Sequence, residues 1–446
     1  MDKLKNIANK KICVIGAGLS GIHAAVLAGY QQAKVFLTEG NPNALSDDDR
    51  ALLEKYNIDY EIGQHSNKIE NYDLYIISPG IPKESAIYRK IIQYDKPIIS
   101  EVEFASWFAT DGQIVAITGT NGKSTTVRLI NHLFQDTKYH AYLGGNIGIP
   151  FSKLVLETED IIDNKIYILE ISSFQLEDII NFKPDVAAIL NISADHLNRY
   201  EGSIDKYLSA KLRIAENQTS ENLYLYKSTD PYLKHHLPKG PELSPFDKNK
   251  YKNLVELQND GAIRTTDGNI LQVRGKHNYN NLLATLAVAS RYEVSREHII
   301  AKLQSFKGLA HRLEYVRKVD SIQFYNDSKA TNIDSVIQAL KSFANPIILI
   351  LGGRDKELDF KQLTPYLKKN VKKVVLIGEA AQKIKRQIGG TVSTIEQKTM
   401  EDVIEYAYKL ANPDDVVLLS PGCASYDMYD NYKHRGNHFK EIVNGL

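Results

Sequence analysis

Cysteine is almost missing from this chain: there are two in 446 residues, Cys13 and Cys423, and no CxxC pair. That excludes a disulfide framework and a thiolate metal centre, and it fits a reducing cytoplasm. Net charge is nearly absent too, because 55 Lys and Arg stand against 54 Asp and Glu for a formal +1. So balanced a chain has no global field to draw in nucleic acid or an anionic membrane, and any anionic ligand must be held by local sites. Long apolar runs are lacking, none approaching the roughly 18 residues of a membrane span. One stretch imitates a secretion signal, with Lys3, Lys5, Lys10 and Lys11 ahead of the uncharged residues 12–30, but Gly16, Gly18, Gly21, His23 and Gly29 interrupt it. Internal repeats and low-complexity tracts are missing, and the lysines between 361 and 385 read as solvated faces.

The rest of the composition is that of an ordinary globular protein, with 43% hydrophobic and 24% charged residues. At about 150 residues per domain, the length predicts roughly three domains. Short apolar runs (KICVIG, AKVFLTE, DLYIISPG and PIISE) alternate with helical patterns up to residue 101. Such runs suit strands buried on both faces, and the intervening helices imply parallel crossovers. A second series starts with QIVAITGTNGKST at residues 113–125 and continues with KIYILEISS and PDVAAILNIS. After it, NLYLY at residues 222–226 and the Asp-Gly pairs at Asp260 and Asp267 predict hairpins, an antiparallel addition to a nucleotide-binding domain. The last third returns to α/β with SIQFYNDSKA, PIILILGGRDK, KKVVLIGEA and DDVVLLSPG, whose Gly, Asp and Ser endings place ligand loops at strand carboxyl ends. The predicted domains are residues 1–105, 106–309 and 310–446.

The sharpest chemical signal is ITGTNGKST at residues 117–125, between a strand pattern and a helical one. Backbone N–H groups of Gly119, Thr120, Asn121, Gly122 and Thr125 at a helix start suit phosphates, Lys123 reaches the β and γ phosphates, and the Ser124 hydroxyl suits Mg²⁺. The motif departs from GxxxxGK[ST], because its first glycine would fall at Ile117. GAGLSG at residues 16–21, with Glu39 ending the next strand, fits a dinucleotide turn, although such a turn binds any pyrophosphate or simply closes a βα unit. Glu170 ends a strand pattern, and His196 and Lys211 follow the third strand of the same domain. A carboxylate and an imidazole there suit Mg²⁺ near a γ phosphate; equally, His196 reads as a structural hydrogen-bonding residue and Lys211 as a solvated helix lysine.

TGTNGKST, GGNIG, LEISSFQLE, NISADHLNRY, SAKLRI, GKHNYNN, HRLE, NDSKATN and LSPGCASYDMY resemble, in this order, the motifs of the Mur ligases, over all three predicted domains. Within that family, NDSKATN and LSPGCASYD followed by Arg435 and Gly436 resemble the branch that adds D-glutamate to UDP-N-acetylmuramoyl-L-alanine. The resemblance implies a three-domain α/β fold: a Rossmann-like first domain, a P-loop-type ATPase domain and a Rossmann-like last domain. It implies an ATP-dependent ligase working through an acyl phosphate in cytoplasmic peptidoglycan synthesis, as a monomer without nucleic-acid or membrane partners.

Residue by residue, the resemblance places Lys123 and Ser124 at ATP phosphates and magnesium, Glu170 and His196 at metal-holding positions, and a carbamylated lysine at Lys211, and it implies two Mg²⁺ ions. Asn278, Asn281, Arg312 and Asp327 match nucleotide contacts, and Asn146 matches a contact to the sugar nucleotide. Lys329, Thr331, Lys356, Ser425 and the Tyr432 backbone match the region receiving D-glutamate, while Leu19, Ser20, Thr38, Ser78 and Gly80 would face the uridine diphosphate. The competing readings are a Mur-type ligase with another amino acid or a folate acceptor, a nicotinamide dehydrogenase using residues 16–21, and a non-enzymatic nucleotide-binding module.

Overall fold

Strand runs buried on both faces build the three large sheets of the computed structural model, which describes residues 6–195, 197–355 and 357–446; a two-stranded ribbon adds a fourth. The chain forms two compact units: Met1–Asp247 with Leu283–Val294, and Lys248–Leu282 with Ser295–Leu446. Among the described residues, no helix is long and apolar enough to cross a membrane.

The first unit holds two parallel sheets. Lys11–Ile15 (β1), Lys34–Glu39 (β2), Asp59–Ile62 (β3), Leu74–Ile77 (β4) and Ile98–Ser100 (β5) pair in the order β3-β2-β1-β4-β5. Ile12 and Val14 of β1 face one core with the helix Leu19–Tyr30, while Cys13 and Ile15 face another with Tyr75, Ile77 and Tyr88. Cys13 is therefore packing, and burial pushes its thiol far above the ordinary range. Strand order reverses between β1 and β4, which opens a crevice at their carboxyl ends. Gly21 closes the first turn, since a β-carbon there would lie 1.9 Å from the Gly16 carbonyl oxygen.

Gly112–Thr118 (β6), His140–Gly145 (β7), Lys165–Glu170 (β8), Val186–Ile189 (β9), Leu223–Tyr226 (β10) and Glu242–Pro245 (β11) form the second sheet, in the order β11-β10-β9-β6-β8-β7. The hairpin expected at NLYLY is corrected here: β10 pairs in parallel with both β9 and β11. Its first three residues are buried, and two-sided burial is the mark of a parallel strand. The Asp-Gly expectation holds at Asp260, where Val255–Leu257 (β12) and Ile263–Thr265 (β13) pair antiparallel in the second unit and Gly261 takes a φ of +83°.

Two buried carboxylates on the short helix Glu101–Ser106 fasten the first two sheets together. Glu101 Oε1 accepts the backbone N–H (2.6 Å) and hydroxyl (2.7 Å) of Ser152. Glu103 accepts the indole N–H of Trp107 at 2.7 Å and backbone N–H groups of Ile180, Asn181 and Phe182 at 2.7–3.0 Å. Burial raises the Glu101 carboxyl to about 7 despite the Ser152 bonds.

In the second unit, Glu314–Val319 (β14), Ile322–Asn326 (β15), Ile347–Gly352 (β16), Val371–Ile377 (β17), Thr394–Glu396 (β18) and Val416–Gly422 (β19) pair in the order β14-β15-β19-β16-β17-β18. Only β14 runs antiparallel to its neighbour. The insertion of β19 between β15 and β16 makes a second switch point, with residues 327–332 and 423–431 on its two sides.

Candidate active site

The loop expected to cradle phosphates follows β6 and ends at the helix Lys123–Phe134, the strand-to-helix setting that the motif predicts. Gly119 (φ +143°) and Gly122 (φ +89°) hold conformations that side-chain-bearing residues avoid. The loop is stapled to the segment after β9: Asn121 N–H donates to Asn191 Oδ1 and Asn191 Nδ2 to the Asn121 carbonyl, both at 2.9 Å. Thr120 N–H donates to the Asn191 carbonyl (2.9 Å), and Thr120 Oγ1 accepts from Ser193 N–H (3.0 Å). Lys123 Nζ donates to the carbonyls of Gly119 (2.8 Å) and Thr120 (2.9 Å), so its ammonium lies over the loop; Ser124 and Thr125 are buried at the start of the helix.

Beside that loop stand a carboxylate and an amine. Glu170 ends β8, where it pairs in register with Ile117 of β6. Its Oε1 accepts from Asn146 Nδ2 at 3.0 Å, while its buried Oε2 has no hydrogen-bond partner among the described residues. Such an orphaned oxygen costs free energy unless something else occupies it. Lys211, on the helix Ile204–Leu212, is 1% exposed, and its Nζ donates to Thr118 Oγ1 at 3.2 Å over the Tyr207 ring. Burial, then the Lys123 charge, holds its amine well below the ordinary lysine range, against the pull of Asp195 and Glu170. Among the described residues, no three His, Cys, Asp or Glu side chains form a metal cluster. The expected site residue His196 lies outside the described residues. Asn191 had a motif position but no assigned role, and its stapling of the loop backbone needs the sheet order to be seen; the Tyr207 hydroxyl, 3.3 Å from Thr120 Oγ1, adds a side-chain contact to the same loop.

At the first sheet's crevice, Leu19 and Ser20 start the helix after β1, and Ser78 and Gly80 follow β4. Leu19 is 56% exposed, and the Ser78 hydroxyl donates to the Gly16 carbonyl at 3.2 Å. Thr38 is fully buried; its hydroxyl donates to the Gln64 carbonyl at 3.2 Å and lies 2.9 Å from His65 Nδ1. Both oxygens of Glu39 are engaged by backbone, from Ala17 N–H (2.9 Å) and Asn41 N–H (2.8 Å).

In the second unit, Asn278 Nδ2 donates to the Arg274 carbonyl at 3.0 Å, and Asn281 Nδ2 to Asn278 Oδ1 at 3.3 Å. The nearby His277 imidazole is lowered to about 4 by burial and by the Arg312 charge. Asp327, just after β15, accepts from Ser420 Oγ (2.8 Å) and Leu313 N–H (3.0 Å), and burial raises it to about 7. Lys329 Nζ stands 5.1 Å from the Tyr432 ring centroid, and Thr331 directly precedes Asn332, the N-cap of the helix Ile333–Leu340. Ser425 is buried, and Tyr432 opens the helix Tyr432–Gly445. Lys356 lies outside the described residues.

The clamp at this second set is Arg435, a residue quoted only as part of a motif. Its guanidinium donates to Ser328 Oγ (2.9 Å), to the Ser328 carbonyl (2.7 Å), and to the carbonyls of Cys423 (3.1 Å) and Ala424 (3.2 Å), joining the loops after β15 and β19. Burial lowers it to about 10.

Three family models match in succession: the MurD N-terminal domain at residues 11–87, the Mur ligase middle domain at 117–289, and the Mur ligase glutamate ligase domain at 311–423. The UDP-N-acetylmuramoylalanine--D-glutamate ligase of Salinibacter ruber is 39% identical over 99% of both chains. The ligase of the same name from Bacteroides thetaiotaomicron is 37% identical over 98% of this chain and all of its own. The fold is shared with UDP-N-acetylmuramate-alanine ligase MurC of Thermotoga maritima (TM-score 0.55, 17% identity, 98% of this chain and 100% of that one) and MurF of Acinetobacter baumannii (0.58, 15%, 92% and 90%). With matched models at all three sheets and full-length relatives well above 30% identity, the chain belongs to the Mur ligase family.

Proposed function

We propose that the chain joins D-glutamate to UDP-N-acetylmuramoyl-L-alanine at the expense of ATP, in the cytoplasm. The full-length relatives bearing that ligase name support the substrates. The observation that carries the chemistry is the pair beside the phosphate loop: the partnerless buried Oε2 of Glu170 and the depressed amine of Lys211. In this reading residues 1–105 take the uridine diphosphate, 106–309 the ATP and 310–446 the amino acid.

Making an amide from a carboxylate requires the departing oxygen to become a good leaving group. The acceptor carboxylate attacks the γ phosphorus of ATP, ADP departs, and an acyl phosphate forms. The amine of D-glutamate then adds to the acyl carbon, and the tetrahedral intermediate expels phosphate. Lys123 turns from the Gly119 and Thr120 carbonyls to the β and γ phosphates, while the loop N–H groups hold the remaining oxygens. Bound Mg²⁺ would neutralise the converging anions. The residues fit it: Glu170 offers an unshared carboxylate oxygen and Ser124 a hydroxyl, with His196 as a further ligand in this reading.

Lys211 completes the donor set by capturing CO₂. The neutral amine attacks CO₂ and gives up a proton to water to become a carbamate, so a buried neutral amine becomes an anion with two oxygens of the type that Mg²⁺ prefers. In the last domain, Lys329, Lys356 and Ser425 bind the carboxylates of D-glutamate, next to Thr331 and the Tyr432 backbone. Asn278, Asn281, Arg312 and Asp327 hold the nucleoside end of ATP, and Asn146 the sugar. Leu19, Ser20, Thr38, Ser78 and Gly80 border the uridine diphosphate pocket. The Glu39 bonds favour that ligand over a nicotinamide dinucleotide, because the acidic residue that would bind ribose hydroxyls already has both oxygens on backbone N–H groups.

The deciding experiment is phosphate release from Mg-ATP with UDP-N-acetylmuramoyl-L-alanine, comparing D-glutamate, L-glutamate, meso-diaminopimelate and L-lysine. Release dependent on D-glutamate alone is expected. Equal release with another amino acid, or none, overturns the reading.

A further inference from the structure

Arg199 makes a contact set that the proposed chemistry does not use. It sits in the short 3₁₀ turn Leu197–Tyr200, on the segment after β9 whose earlier residues staple the phosphate loop. Its Nε and Nη2 grip both oxygens of Glu177 at 3.1 and 2.9 Å. The outer nitrogens also reach the first sheet, donating to the carbonyls of Pro79 (3.5 Å) and Ile81 (3.2 Å) in the loop after β4. The guanidinium carbon stands over the Phe174 ring, 4.3 Å from its centroid, and Tyr200 OH donates to Glu177 Oε1 at 2.8 Å. Arg199 and Glu177 side chains are only 13% and 9% exposed, so the pair is shielded and its geometry is held from every side.

Other bonds cross the same boundary without this property. Lys83 and Tyr88 both reach Asp178, at 3.1 and 2.9 Å. They attach one body to another, but neither touches the carbonyls of residues 79 and 81. Arg199 alone among these three connects that loop directly to the segment carrying the phosphate-side staple.

We propose that Arg199 is a positioning residue that fixes the register between the loop of residues 78–81 and the turn Leu197–Tyr200, which follows the stapling residues Asn191 and Ser193. Through it, the diphosphate end of the acceptor is held at a set distance from the phosphate loop, and binding energy gained remotely is realised at the reacting carboxylate. The proposal rests on placing the uridine diphosphate at the first sheet's crevice. It adds a specific consequence: Arg199 controls how much the nucleotide end of the acceptor accelerates the reaction.

The test compares kcat for UDP-N-acetylmuramoyl-L-alanine with kcat for the same acceptor shortened to its sugar 1-phosphate, each at saturation. In the wild type the full acceptor is expected to turn over faster. In Arg199→Ala that advantage should shrink about tenfold, with the shortened acceptor and the KM for Mg-ATP changing by less than about threefold. Lys83→Ala should keep the full advantage. Should the alanine variant fail to fold, Arg199→Lys carries the same readout, since one ammonium cannot hold a carboxylate and two carbonyls together. Parallel loss on both acceptors, or an unchanged ratio, would mean that Arg199 is only structural and would overturn the proposal. A wild type indifferent to the missing uridine end would instead remove the crevice assignment, and the proposal with it.

Discussion

Gly436 lies directly against His311: a β-carbon on the glycine would stand 2.2 Å from the imidazole Nδ1. That nitrogen is also 3.0 Å from Asn326 Nδ2, and Asn326 in turn donates to Glu314 Oε2 at 2.9 Å. The helix Tyr432–Gly445 therefore touches the HRLE and NDSKATN motifs through its buried Gly436, where a side chain would overlap His311. Gly436→Ala should cost about 1–3 kcal/mol of stability through overpacking and lower turnover at subsaturating amino acid. Denaturant unfolding beside steady-state kinetics checks both; a variant with wild-type stability would show that His311 moves aside freely.

Removing the Lys123 ammonium should leave the fold intact, because it donates to the carbonyls of the Gly119 and Thr120 loop, whose course is also fixed by the Asn121–Asn191 bonds. Turnover should fall by about 100-fold or more at saturating ATP, as one charge facing the transferring phosphoryl group is lost. Near-normal kcat for Lys123→Ala would dismiss its role.

Lys211 should be carbamylated. Its amine is held below the ordinary lysine range, so the reactive neutral form is populated at lower pH than for an exposed lysine. Stripping CO₂ should reduce activity, and bicarbonate should restore it near neutral pH. Lys211→Ala should lose about 100-fold or more in rate and recover in part with acetate. A ¹³C-carbamate resonance after labelled CO₂ is the direct readout, and full activity of the alanine variant without additive would contradict the modification.

Glu101 sets a pH slope on stability. Its carboxyl, ordinarily at 4.5, is raised to about 7 in the folded chain. Between those values the native state binds more protons than the unfolded one, so this contribution is present at low pH and is lost as pH rises through about 7. Relative to Glu101→Gln, the wild type should lose melting temperature between about pH 5 and about pH 8. Parallel curves for the two proteins would show that the carboxyl does not titrate in this range.

The strands were legible where both faces are apolar, as in KICVI, KIYILE and IILILG. They were illegible where the pattern is partly polar: Asp59–Ile62 reads DYEI and is only half-buried, and Glu314–Val319 reads EYVRKV. NLYLY misled because a short apolar run does not say whether its partner runs parallel. At the site, Lys123 and Glu170 were visible because strand-end chemistry is local in sequence. Arg435 and Arg199 were not, since each earns its role by reaching carbonyls more than ten residues away, and for Arg199 118 and 120 residues away.

The three amides that close on Glu103 have a consequence for dissection of the chain. Excising residues 1–105 would strip Ile180, Asn181 and Phe182 of their common acceptor and leave their N–H groups facing a hole. The first sheet is thus no detachable cartridge: a shortened enzyme beginning at residue 106 would need a new anion in that cradle before its second sheet could close, whereas one beginning before Glu101 would carry the plug with it.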